Sequence, residues 1–502
     1  VALLARIVGQ WGGSQWQEFL LFDQGKPVGV ADPILGKDLG FYFFTLPFIK
    51  TLKGFAGFTF VLTTLITAVL YFLRGGIVTS ERGISLAPAV KRHLAVLAGL
   101  ILVNTGFGFY LDTYQLLYSD HVAVYGAGYT DVHARLPVYR ALAATFFAAA
   151  PLLVLGAWKG SWRIAFLPLA VAAGIYIVGN MLYPSGLQQF KVAPNELVLE
   201  TQYISHNIRF TRMGFDLDKI EVSPFDVDYN LTARDVEKNE ATTKNIRLWD
   251  HVPLLRTYSQ LQQIRTYYKF HDVDNDRYTV NGEYSQIMLS PRELSYDDLP
   301  SRNWINERLI FTHGNGFAMG PVSRITREGL PEFTVKDIPP VSQARDIRVT
   351  RPEIYYGELS NDYVIVKTRE AEFSYPTTEK NIYTTYEGRG GVGIGSLPLR
   401  ALFAAKFRTE KILLSSDIQQ ESRILYNRNI GERARAVAPF LLFDEDPYMV
   451  VRDDGRLVWI IDAYTASASL PYSRPAGRFN YIRNSVNAVV AAYDGSLDFY
   501  IN

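Results

Sequence analysis

In the run His271-Asp-Val-Asp-Asn-Asp-Arg277, three aspartates, Asp272, Asp274 and Asp276, alternate, and Glu283 stands twelve positions along when Asp272 is counted as one. Calcium loops present their oxygen ligands at this spacing. The sixth position, which in such a loop needs glycine for the sharp turn, is Arg277, and a strand-like Tyr278-Thr-Val follows instead of a helix, so the segment is not an EF-hand. An extended chain still places alternate carboxylates on one side. The spacing therefore predicts one of two things: an irregular calcium site at Asp272, Asp274 and Asp276, or a solvated acidic stretch that caps the turn before a hairpin. A second candidate is Thr312-His313-Gly314-Asn315-Gly316, a glycine-rich loop that could expose a catalytic imidazole or simply turn the chain. His313 has no visible partner in the sequence. No Gly-x-Ser-x-Gly elbow, His-Glu-x-x-His helix or phosphate-binding Gly-x-x-x-x-Gly-Lys is present, and Gly388 to Gly395 lack the lysine and hydroxyl that would engage a nucleotide. No catalytic or cofactor-binding residue is assigned, and the expected role of His313 is structural.

Such groups act only where folded elements hold them, and 502 residues allow two to four domains. Charge is balanced, 51 basic against 50 acidic residues, and nothing resembles the basic stripe with stacking aromatics that nucleic acid requires. With no cysteine, disulfides, thiolate metal sites and thiol nucleophiles are excluded. The even averages hide a sharp division. Between Lys53 and Pro184 long apolar runs dominate, whereas from Gln188 charged residues recur every few positions. The chain begins at Val1 without a methionine and is expected to be part of a longer protein.

A spanning helix needs about 20 mostly apolar residues, since each adds about 1.5 Å against a ~30 Å hydrocarbon core. Four stretches qualify: Gly54 to Leu73, Leu94 to Leu111, Ala141 to Trp158 and Ile164 to Tyr183, each closed by charged or interfacial residues. Arg74, Arg82, Lys91 and Arg92 lie in the first connection, and Lys159 and Arg163 in the third, while Asp112 to Arg140 holds only Arg135 and Arg140. The positive-inside rule makes the first and third connections cytoplasmic, which sends everything after Tyr183 to the outside. No span carries an ionisable residue in its middle, and only Asn104 and Asn180 offer strong polarity. Ala141, Thr145 and Ala149 recur four apart, a spacing that lets helices pack closely. Residues 1–53 read as interfacial: Trp16, Phe19 and Leu20 form an apolar stripe, and Phe41 to Pro47 is expected to lie flat at the headgroups.

Residues 184–502 are expected to form an α+β domain with mostly antiparallel sheet. Pro194 and Asn195 open a helix containing Leu197, Ile204, Ile208 and Phe215. Thr232 and Asp235 form a capping-box pair leading a helix to about Ile246, and Pro253 opens another. Asn281-Gly282 separates Arg277 to Val280 from Glu283 to Leu289, and Asp454-Gly455 separates Met449 to Arg452 from Leu457 to Ile461; both read as hairpins. The last stretch reads as a helix over Tyr481 to Ala492, a turn at Asp494-Gly495 and a strand from Leu497. Asn230-Leu231-Thr232 matches a glycosylation sequon, but Thr232 already has its capping role.

The runs Gly126-Ala-Gly-Tyr-Thr-Asp131, Asn245-Ile-Arg-Leu-Trp-Asp250, Val335-Lys-Asp-Ile-Pro-Pro340, Tyr383-Thr-Thr-Tyr-Glu-Gly388 and Trp459-Ile-Ile-Asp-Ala-Tyr-Thr465 resemble uncharacterised protein family 0182, a large bacterial family of multi-pass membrane proteins. The resemblance implies further amino-terminal helices and a large domain outside the membrane, and it supplies no reaction. The reading is a membrane-anchored binding or assembly protein of the bacterial plasma (inner) membrane, in contact with the lipid bilayer, homo-oligomeric and binding no nucleic acid. A transporter or pore subunit and an extracytoplasmic enzyme are the alternatives.

Overall fold

The computed structural model describes residues 2–80, 83–121 and 124–502; Arg82, one of the loop cations counted above, lies outside them. The chain divides into two compact units. The first comprises Val1–Val222 with Ala466–Arg483, and the second Ser223–Thr465 with Asn484–Asn502. The first unit thus runs past Tyr183, the expected end of the membrane half, and gathers a later excursion of the chain.

Four helical segments of the first unit are long and apolar enough to cross a membrane: Phe41–Leu73, Pro88–Tyr118, Asp131–Lys159 and Phe166–Gly214. The first three each contain one expected span, and the fourth contains the last one from Phe166 onward. Two boundaries differ from expectation. Phe41–Thr45 does not lie apart as a flat segment but forms a π-turn leading straight into the helix Leu46–Leu73, anchored by Tyr42, whose hydroxyl donates to Asp32 Oδ2 at 2.8 Å. At the other end the chain stays helical beyond Pro184: the π-helical turns Tyr176–Leu182 run straight into Tyr183–Leu187 and accommodate the proline. The helix expected from Pro194 is the continuation, Glu196–Gly214.

Small residues set the closest helix approach. A Cβ on Gly106 would stand 3.0 Å from Phe146 Cβ and 3.1 Å from the carbonyl of Ala143, so glycine lets Pro88–Gln115 press onto Leu136–Lys159. Ala143, Ala149 and Ala150 are buried there, whereas Ala141 is exposed and Thr145 bonds back to Ala141 O at 2.8 Å. Asn104 lies against Gly57 of the preceding span, where a Cβ would be 2.6 Å from its Nδ2. The motif Gly126-Ala-Gly-Tyr-Thr-Asp131 receives the excursion: Tyr472 donates its hydroxyl to Ala127 O at 2.7 Å and its N–H to Leu117 O at 3.1 Å. Gly126, at φ +113°, has no room for a side chain, since a Cβ would fall 2.2 Å from the Tyr472 ring. Buried Asp131 accepts from Arg135 at 2.8 Å and from the Gly128 N–H at 3.2 Å, which holds the loop open to that ring.

The second unit carries the sheets. One has six strands in the order Tyr268–Phe270, Glu283–Leu294, Phe317–Pro321, Val335–Lys336, Val341–Ser342, with Asp274–Val280 pairing along Glu283–Leu294. The Asn281-Gly282 turn is as expected, both residues at positive φ, +50° and +81°. Another five-stranded sheet contains Tyr448–Val451, Leu457–Ser467, Tyr481–Ala491 and Leu497–Ile501, all antiparallel where paired. Here one expectation fails: Tyr481–Ala491 is a strand, not a helix. Val486, Ala488 and Val490 alternate, Ala488 and Val490 are fully buried, and the register Val486↔Ile501 to Val490↔Leu497 buries them at period two. The core joins Ile287, Leu289, Met319, Tyr356 and Trp459, and the Trp459 indole donates to Tyr356 O at 2.9 Å. The capping box at Thr232 and Asp235 forms, but the helix Ala233–Lys238 stops at Asn239 and a separate turn, Glu240–Thr243, follows. The next helix starts at His251, two residues before Pro253, because Asp250 accepts the Val252 N–H.

Candidate acid cavity

The strand Asp274–Val280 alternates half-buried and exposed residues, so Asp274 and Asp276 share a face, as an extended chain requires. Asp272 precedes the strand. A cavity of about 400 Å³ is lined by Asp272 and Asp274 but not by Asp276; its third carboxylate is Asp446, from the segment before the strand Tyr448–Val451, with Arg247 and His251 at its edge. Asp276 instead accepts the N–H of its neighbour Arg277 at 2.7 Å within the strand, a local side-chain bond that caps no turn. Glu283 is remote from the group. It sits at the hairpin's turn, opposite Val280, and Asp274 lies six strand residues farther on, a separation of about 20 Å. There Glu283 pairs with Lys244 at 2.9 Å and Arg324 at 3.0 Å, which holds its carboxyl below the usual range. Among the described residues no three acidic or imidazole groups stand as a ligand set for a metal ion.

What converges around Asp272 and Asp274 is a set of carboxyls short of cations. Asp274, half-buried, accepts the Met449 N–H at 3.3 Å, and burial with the neighbouring charges of Asp272, Asp446 and Asp276 pushes it up to about 7. Glu293, fully buried on Glu283–Leu294, accepts the N–H groups of Glu358 at 2.9 Å and Leu359 at 3.0 Å, yet burial still raises it to about 7. Glu358 is pushed to about 9, by burial first and then by Glu293, Asp274, Asp272 and Asp446. Gly357 permits this approach, since a Cβ would lie 2.1 Å from Glu293 Oε2. The arrangement holds protons at neutral pH: like charges this close cannot all ionise in a poorly solvated site. Asp446 and Glu358 were invisible as partners in the sequence. Asp444-Glu-Asp446 is a short acidic run of the kind found at any surface turn, and Tyr355-Tyr-Gly-Glu358 carries no local signal at all.

The histidine candidate is buried. His313 stacks near Tyr355, ring centroids 4.6 Å apart, and its Nδ1 faces Thr312 Oγ1 at 2.9 Å. Thr312 and Tyr355 both donate to Glu372, at 3.2 and 2.6 Å. Behind them Arg428, fully buried, donates to the carbonyls of Tyr355 and Thr312, both at 2.7 Å, and to the Tyr296 hydroxyl at 2.9 Å. Burial and the Arg428 charge lower His313 to about 3, so its imidazole is neutral and closed to solvent. It does not turn the chain in solvent either; it leads into the short strand Gly314–Asn315, which pairs with Glu353–Ile354. An exposed imidazole is thereby replaced by a buried polar network.

The profile of the Uncharacterised protein family (UPF0182) matches residues 1–502. The chain is 62% identical to the UPF0182 protein of Geobacter sulfurreducens over 501 residues, covering 100% of this chain and 56% of that protein. It is 64% identical to a UPF0182 protein of Geotalea uraniireducens over 502 residues, with the same coverages, and 44% identical to one of Synechococcus over 520 residues, covering 98% of this chain and 61% of the relative. The chain thus spans little more than half the length of the curated relatives it matches. No solved structure matches it. On the family profile across its whole length and on these identities, the chain belongs to the UPF0182 family.

Proposed function

We propose that this chain is a membrane-anchored binding or assembly protein of the bacterial cell envelope. The four apolar helices span the plasma membrane, and the sheet-rich unit stands on the outer side. The observation that carries this reading is the apolar surface of the helices. Leu65, Val69, Leu73, Phe166 and Leu167 are all exposed, on helices whose apolar windows average 1.7 to 2.0 in hydropathy. Each such side chain left in water forgoes about 1.5–3 kcal/mol of burial, which lipid restores. The cations Arg74, Lys91 and Arg92 flank the first connection and orient it inward. Identical copies associate through exposed helix faces that include Ala141. The outer unit supports binding rather than a reaction by what it concentrates: a proton-holding acid cavity and a second cavity discussed below.

The test is topological. Ser85 and Ser416 are exposed, and the chain has no cysteine of its own. In single Ser85→Cys and Ser416→Cys variants, a membrane-impermeant maleimide applied to intact cells is expected to label Cys at 416 and spare that at 85. The reverse pattern overturns the proposed sidedness, and labelling of both or neither overturns the span between them.

A further inference from the structure

The sheet-rich unit holds a second cavity, of about 440 Å³, that shares no lining residue with the acid cavity. Its walls are built from ions that neutralise one another. Arg302 Nε meets Glu307 Oε1 at 2.8 Å and Arg302 Nη1 meets Asp297 Oδ1 at 2.8 Å, while Arg308 Nη2 meets Asp362 Oδ2 at 3.0 Å. Glu307 and Arg308 stand on the π-turn Asn306–Ile310, a widened turn that recurs at functional sites. Asn427, also on the wall, holds a left-handed φ of +47°, a conformation that costs free energy unless its surroundings require it.

Aromatic rings form one side. The Trp304 indole N–H donates to the Tyr363 hydroxyl at 3.0 Å, and Tyr363 stacks on Phe407 with centroids 4.3 Å apart. Trp304 is half-buried, packed against the cluster that holds Leu309, Tyr363 and Phe403, and fixed by that bond. Polar groups on the wall are left unspent: the side chains of Thr409, Lys411, Tyr426, Asn427 and Glu432 line the cavity and make no hydrogen bond within the described chain, the Tyr426 ring packing on Phe407. They comprise a hydroxyl, an ammonium, a phenol, an amide and a carboxylate, donors and acceptors together, with charges that cancel.

This combination selects a ligand chemistry. An anion finds the two arginines already matched by carboxylates and Lys411 balanced by Glu432. A wholly apolar ligand would strand five polar side chains, each at a cost. A sugar ring offers what the cavity lacks: an apolar C–H face for an aromatic platform and adjacent hydroxyls that both donate and accept. We propose that this cavity is a binding site for a neutral saccharide, seated on Trp304 with its hydroxyls taken by Thr409, Tyr426, Asn427 and Glu432. The proposal rests on reading this unit as an outward-facing binding module, where envelope and external glycans are available.

The experiment is an array of defined neutral oligosaccharides of the gluco, galacto, manno and N-acetylhexosamine series, probed with the detergent-solubilised chain and followed by calorimetry on each hit. Thr409→Val keeps shape and removes the hydroxyl; Asn427→Gly keeps the left-handed backbone and removes the amide. Each is expected to weaken binding about tenfold, the worth of one hydrogen bond to a satisfied ligand. Trp304→Ala is expected to abolish binding, and if that variant does not fold, the two conservative ones decide. Asp274→Asn, in the other cavity, is expected to change nothing. Failure to bind any neutral saccharide overturns the proposal, as does binding that is indifferent to Thr409→Val and Asn427→Gly or confined to charged glycans. The labelling of Ser416→Cys is independent: an outward-facing chain that binds no sugar loses only this proposal, and an inward-facing one that binds sugar loses only the topology.

Discussion

Replacing Glu358 by glutamine should remove most of the alkaline sensitivity of the sheet-rich unit. In the folded chain Glu358 is pushed from 4.5 to about 9 by burial and by the carboxyls of Glu293, Asp274, Asp272 and Asp446. The folded state therefore holds a proton that the unfolded state has released, and stability falls as pH rises from the unfolded value through the folded one. Asp274 and Glu293, each raised to about 7, act in the same direction. His313 acts oppositely: lowered from 6.5 to about 3, it weakens the fold as pH drops below 6.5. The diagnostic window is thus above about pH 7.5, where the imidazole is neutral in both states and Glu358 still titrates. Ionising Glu358 between about pH 7.5 and 9 costs up to about 2 kcal/mol, or about 1 kcal/mol once water enters around the new charge. Urea unfolding of the detergent-solubilised chain, read by pulse proteolysis of fragments from residues 223–465, measures it. Wild type is expected to lose that amount across the window, and Glu358→Gln, which mimics the protonated acid, to lose less than half of it. A flat wild-type profile, or an equally steep one in Glu358→Gln, would refute a buried Glu358 that keeps its proton.

Three further outcomes are expected. Gly126→Ala places a Cβ against the Tyr472 ring at a φ that alanine avoids, and should cost about 2–4 kcal/mol, seen as faster proteolysis within 466–483, whereas Tyr472→Phe should cost only about 1 kcal/mol. Calcium added to the chain at neutral pH should give no saturable heat, since Asp274 is pushed up to about 7 and no three acidic or imidazole groups form a ligand set among the described residues; a heat lost in Asp272→Asn and Asp274→Asn but kept in Asp276→Asn would instead assign a cation site there. Native mass spectrometry in mild detergent should give a homo-oligomer that Ala141→Leu disturbs more than a leucine at buried Ala149, whose site is filled by its own chain; a strictly monomeric wild type would end the assembly reading.

Length and hydropathy alone located all four helices long and apolar enough to cross a membrane, because about 20 apolar residues in a row leave few other readings. Local chemistry was equally legible: Thr232 caps through Asp235, and Asn281-Gly282 turns with both residues at positive φ, since these depend on residues within four positions of one another. The strand Tyr481–Ala491 was misread as a helix because its only signal, Val486, Ala488 and Val490 at period two, is diluted by polar neighbours, and its pairing with Leu497–Ile501 outweighs local propensity. Phe41 to Pro47 was misplaced for a related reason: seven residues are too few to cross a membrane alone, and only continuity with the rest of Leu46–Leu73 makes them the start of a long apolar helix. For the acidic run, sequence spacing determined that Asp274 and Asp276 share a face. It could not determine that Asp276 bonds to its own neighbour while Asp446 and Glu358, each more than eighty residues downstream, come to Asp272 and Asp274. That assembly follows from the pairing of strands distant in the chain and from burial that no local window measures, and the cavity around Trp304, Thr409 and Asn427 was decided the same way.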